Sequence, residues 1–158
     1  MTAVDEVPKA HTPAGGYGTT MPPPVLLGCA EPLVPGAPDL RGTWRVVELE
    51  VGGAAAPPEH PAWAHVERIE QAADRLVVTG GGVVHDMLVD GTAANGVNDV
   101  MAADFTTPIS VAASFEDEVL VLRPEGLPGV EVRRWRDGEH LRWSYAGAFE
   151  ATLERIDR

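Results

Sequence analysis

Between Leu40 and Ile156 apolar and polar residues alternate with a period of two, in short runs broken by Gly, Pro, Asn and Asp. Such a period sends successive side chains to opposite faces, so each run reads as a half-buried β-strand. Ten strands follow: Thr43–Val51, His65–Gln71, Arg75–Thr79, Val83–Val89, Val97–Phe105, Ile109–Phe115, Val119–Arg123, Val130–Arg136, His140–Tyr145 and Phe149–Ile156. No window repeats like an amphipathic helix, and GGAAAPPEHPAWA between the first two strands has room for one helical turn. Ten sequential strands with short links predict an all-β fold, an antiparallel up-and-down β-barrel, because closure removes exposed edges.

Turn chemistry assigns the faces, since loop length fixes register. A turn at Asp137-Gly138 sets Arg136, Arg134, Val132 and Val130 opposite Glu139, Leu141, Trp143 and Tyr145, all on the inner face. Glu131, Arg133, Trp135, His140, Arg142 and Ser144 then face outward. A three-residue loop, Ala146-Gly147-Ala148, pairs Tyr145, Trp143 and Leu141 with Phe149, Ala151 and Leu153. A turn at Gly80-Gly81 pairs Val78 with Val83 and Leu76 with His85, placing Met87 and Val89 inside. A turn at Ala72-Ala73 brings Ile69 beside Leu76, and its parity sends Glu67 and His65 inward. Arg75 and Asp86 pair on the outside, and Val97, Asp99, Met101 and Phe105 share a face.

Ahead of the barrel, residues 1–39 form a separate Pro/Gly-rich leader. Met1 to about Met21 has little to bury and is expected to be disordered. Pro22–Asp39 is expected to be irregular, laying Val25, Leu26, Leu27 and Leu33 across a barrel end near Trp44 with Cys29 as a small apolar plug. The domain proper is residues 40–158.

Composition narrows the chemistry. The 158 residues suit one domain, and the net charge of −12 disfavours phosphate backbones and anionic membranes as partners. The single cysteine rules out an intramolecular disulfide and a multi-cysteine zinc site. Leu27-Gly28-Cys29 looks like a bacterial lipoprotein processing site, but no apolar stretch of export length precedes it, so a cytoplasmic protein is expected. No run is long enough to insert in a membrane, and no metal site is expected. Lys9 is the only lysine, and G-x-S-x-G, phosphate-loop and H-E-x-x-H motifs are absent.

The stretch DLRGTWRVVELE, followed by strands that end in FEATLERID, resembles the calycin superfamily of β-barrels. Gly42-Thr43-Trp44 matches the lipocalin G-x-W signature, and Arg155 the final-strand arginine that packs near that tryptophan. Ten strands without a C-terminal helix are most similar to the fatty-acid-binding and nitrobindin-like branch. The resemblance implies a small molecule held inside the barrel. Three departures limit it: Ala151 and Leu153 stand where fatty-acid-binding proteins carry an Arg-x-Tyr pair, the two helices that follow the first strand in those proteins are missing, and no histidine follows His140 to hold haem. Haem is therefore disfavoured, and no cofactor is expected.

The inward polar and aromatic residues then carry the functional reading. Arg134, His85, Tyr145, Trp143, Met87, Met101 and Glu67 are the candidate ligand-binding residues. A buried guanidinium needs an anion, either a ligand's or an internal carboxylate such as Glu67, Asp99 or Glu139. The first function expected is binding of a small hydrophobic or amphipathic molecule with an acidic or carbonyl group. The alternative is a cofactor-independent isomerase, cyclase or hydrolase, with His85 and Asp99 (or Glu67) as acid–base pair and Tyr145 as oxyanion donor. A third reading is an interaction module whose barrel is packed solid.

Overall fold

The computed structural model describes residues 2–157. The strands are β1 Gly42–Val51, β2 Ala54–Ala55, β3 Val66–Ala72, β4 Arg75–Gly80, β5 Val83–Leu88 and β6 Val97–Val100, then β7 Pro108–Glu116, β8 Val119–Pro124, β9 Val132–Asp137, β10 His140–Tyr145 and β11 Phe149–Arg155. They pair antiparallel in the order β5-β4-β3-β1-β11-β10-β9-β8-β7-β6, with the short β2 folded back on β1. The result is a nearly closed all-β barrel of ten strands, its two ends brought together by Leu88 N–H donating to Asn95 O at 2.8 Å.

The inner and outer faces follow the alternation, but three hairpins turn one residue later than expected. Asp137 pairs with His140, Gly80 with Val83 and Ala72 with Arg75. Moving a turn by one residue shifts the register by two, so parity survives while partners change. Arg134 lies opposite Trp143 instead of Leu141, and Val78 opposite His85 instead of Val83. In two of these turns a glycine takes the first central position, Gly138 at φ 61° and Gly81 at φ 60°, and in the third Ala73 takes it at φ 52°. The loop Ala146–Ala148 is as expected, setting Tyr145 opposite Phe149 and Leu141 opposite Leu153.

The fifth expected strand is shorter than expected. It ends at Val100, because the Asp104 carboxylate accepts the N–H groups of Thr106 and Thr107, both at 2.9 Å, and turns the chain. On β1 a bulge between Val46 and Glu48 resets the alternation, which brings Leu49 inward.

One barrel end is filled. Trp44, Leu76, Leu120, Leu141, Ala151 and Leu153 touch no space that water could enter. Leu40 plugs this end: its N–H donates to Gln71 Oε1 at 2.7 Å, and its carbonyl accepts Trp44 Nε1–H at 3.0 Å. Arg136 and Arg155 lie 5.4 and 5.8 Å from the Trp44 ring centre. Gly42 has φ 144°, and a Cβ there would sit 2.6 Å from Arg155 Nε, which gives the G-x-W glycine its physical reason.

The N-terminal residues lie on the outer face of β3, β4 and β5. Val4 and Leu26 are buried against Ala72, Val77 and Val84, joined by Val7, Ala10, Tyr17, Val25 and Cys29. Thus Leu26 and Cys29 cover the barrel's flank instead of the Trp44 end, and Leu27 is exposed. Arg75 anchors this layer with all five of its donors. Two reach Asp86 at 2.9 and 2.6 Å, and three reach the carbonyls of Val4, Val7 and Pro8.

Candidate functional site

Opposite the Trp44 end, the barrel mouth collects the 56–65 connection, the 81–82 turn and the 146–148 loop. Its polar centre is an ion pair across the interior. Arg134 Nε and Nη2 donate to Glu67 Oε2 and Oε1 at 2.8 and 3.0 Å, both side chains being buried. Glu67 lies opposite Gly80, and a Cβ at Gly80 would come within 2.8 Å of Glu67 Cβ. The missing side chain makes room for the carboxylate.

Burial alone would push the Glu67 carboxyl up, but the Arg134 charge and the His65 ring outweigh it and hold the group at about 2. Since an ionised carboxylate only accepts, His65 Nε2 carries the proton and donates to Oε1 at 2.7 Å. The Pro61–Ala64 turn of 3₁₀ helix, capped by His60 Nδ1 accepting Ala62 N–H, delivers His65 to this position.

Above the ion pair sits an aromatic collar. Trp143 lies 5.1 Å from the Arg134 guanidinium, 4.5 Å from the His65 ring and 4.9 Å from Phe149. Phe149 stacks on Tyr145, which is exposed at the rim, and meets His60 edge-on. Among the described residues Trp143 Nε1 is buried yet has no hydrogen-bond partner. Such a donor costs about 1–3 kcal/mol when left unsatisfied.

The other candidates divide. His85 Nε2 faces the Val100 carbonyl at 3.0 Å and lies 4.0 Å from Asp99, so it donates from Nε2 and presents Nδ1 as acceptor. Burial lowers its proton affinity, against the Val100 carbonyl and the Asp99 carboxylate. Asp99 accepts the N–H groups of Thr12 and Val100 at 3.0 and 2.8 Å. Tyr145 belongs to the collar, so the three catalytic candidates form two groups instead of one. Met87 is buried in the core, and Met101 sits on the exposed 101–107 loop, outside the expected inward set. Arg134, Glu67 and Trp143 are brought together. Sequence reasoning placed His65 inward but did not single it out as Glu67's second partner; its two-residue spacing from Glu67 on one face was the signal.

Among the described residues no three His, Cys, Asp or Glu side chains gather as a metal site, and no helix is long and apolar enough to cross a membrane.

The fold is a nearly closed antiparallel barrel of ten strands, plugged at the Trp44 end. Among solved structures the chain is similar to human cRBP IV, a cellular retinol-binding protein: 16% identity, TM-score 0.54, with 75% of this chain and 98% of that one covered. No protein-family model matches the sequence, and neither does any curated protein.

Proposed function

We propose that the protein binds a small, largely apolar molecule through a carbonyl-type acceptor at the mouth end of the barrel. The carrying observation is the unpartnered Trp143 Nε1–H beside Arg134, inside a collar of aromatic rings. A ligand oxygen there satisfies the indole donor, while the apolar remainder meets Trp143, Phe149 and Tyr145. Glu67 already takes two of Arg134's donors and balances its charge, so the arrangement favours a neutral carbonyl over a carboxylate. The filled Trp44 half confines the guest to the mouth layer. The likeness to a cellular retinol-binding protein is in keeping with an apolar guest.

An environment-sensitive naphthyl ketone, followed by its own emission, tests this reading. Wild type is expected to bind it saturably, and Trp143→Phe, which keeps the ring surface but removes the donor, to bind it up to about tenfold more weakly. Equal affinity in both proteins, or no saturable binding, overturns the reading.

A further inference from the structure

The N-terminal segment does more than cover a wall. Among the described residues no strand ladder joins β5 to β6; the sheet path ends on these two edges. Across that seam run residues 9–12. Lys9 Nζ donates to Gly96 O at 2.7 Å beside β6, and Ala10 N–H to Asp86 Oδ2 at 2.9 Å on β5. Thr12 N–H donates to Asp99 Oδ2 at 3.0 Å on β6. Thr12 Oγ1 accepts Val84 N–H at 2.9 Å and donates to Val84 O at 3.4 Å, standing in for a neighbouring strand on β5.

Directly behind this strap lies the polar layer of the interior. Asp99, held by Thr12, is 4.0 Å from His85, and the Arg134 charge acts on His85 in turn. A cleft of about 570 Å³ opens beside the seam, between the strap and the β6–β7 pair, lined by His11, Thr12, Asp99, Val100 and Ile109. The strap is anchored on both sides. Arg75 clamps the carbonyls of residues 4, 7 and 8, and beyond the Gly15-Gly16 turn the Tyr17 N–H donates to Gly82 O at 2.9 Å. Between them, residues 9–12 are held by side-chain ties alone. The other routes inward are covered by the Leu40–Trp44 plug and by the 56–65 connection, whose Ala62 and Trp63 pack against the core and whose His60 meets Phe149 edge-on.

We infer that the β5–β6 seam is the door to the Arg134–Trp143 site and that residues 9–12 are the strap that bolts it. This rests on the ligand-binding reading above. Because the strap stands at the door and not against the guest, releasing it changes how fast the guest passes and leaves affinity alone.

Stopped-flow kinetics with the same naphthyl ketone test the door in the full chain. Thr12→Val combined with Lys9→Met is expected to raise association and dissociation rates together by about tenfold, with Kd moving less than about twofold. Hydrogen exchange should show the Val84 amide losing protection while the β10 amides keep theirs, which establishes strap release on a folded barrel; Lys9→Met alone is the milder variant should the pair unfold. Trp63→Phe, which loosens the mouth instead, is expected to leave both rates unchanged. Released strap with unchanged rates, or rates that respond only to Trp63→Phe, overturns the door while the site stands. Absence of any saturable binding overturns the site and the door with it.

Discussion

The two ends of the barrel use the same residue pair to opposite effect. At the filled end, Trp44 Nε1–H is satisfied by Leu40 O, and the flanking arginines spend donors on backbone carbonyls: Arg136 on Asp39 and Gly138, Arg155 on Arg41. At the mouth end, Trp143 also lies against an arginine, but its Nε1–H has no partner among the described residues and Arg134 is neutralised by a buried carboxylate. An arginine–tryptophan contact is therefore not itself a site. What separates plug from site is whether the polar atoms are already satisfied by the chain.

The sharpest way to break the mouth end is to remove one half of its ion pair. Glu67→Ala leaves Arg134 buried and unpaired, and is expected to cost about 3–5 kcal/mol in chemical denaturation. Replacing both partners, as Glu67→Met with Arg134→Met, is expected to recover most of that loss, because the desolvation cost disappears with the charges. If the double variant is no more stable than Glu67→Ala, the two residues do not act as a pair.

Acid provides the next contrast. Glu67 is held at about 2 in the folded protein against an ordinary 4.5, so it binds a proton more readily when unfolded. Its contribution to stability is fully present above about 4.5 and is lost as pH falls towards 2. Denaturation curves collected across that window should be steeper in pH for wild type than for Glu67→Gln, which has nothing to titrate there. Matching slopes would mean the carboxylate is not held ionised by Arg134 and His65.

A smaller effect separates the tryptophans directly. Trp44→Phe deletes a satisfied hydrogen bond and leaves Leu40 O without its partner, an expected loss of about 1–2 kcal/mol. Trp143→Phe deletes a donor that has no partner, so the unliganded protein should lose less than that, or gain stability. Equal losses in thermal or urea unfolding would erase the distinction between the ends.

Much of this was legible in the alternation of side chains. Parity alone put Arg134, Glu67, His85 and Trp143 inside, and it survived three misplaced turns because a register shift of two leaves every face unchanged. The ion pair was foreseen as one of three possible internal partners, but parity cannot say which carboxylate an arginine reaches across a barrel. Two things were hidden for identifiable reasons. Asp104 ended β6 early through a side-chain turn that propensity does not reveal, which left Met101 outside. The N-terminal layer was obscured by its own composition, though the strands beneath it carried the clue. Val77 and Val84 put apolar side chains on the outer as well as the inner face of β4 and β5, and apolar groups on an outer face need cover.

The indole N–H resonances test the central claim most directly. On adding the naphthyl ketone, the Trp143 Nε1–H signal should shift and become slower to exchange with solvent, while the Trp44 signal, already bonded to Leu40 O, stays in place. A ketone that binds saturably yet leaves the Trp143 signal unmoved, or moves Trp44 instead, contradicts the account.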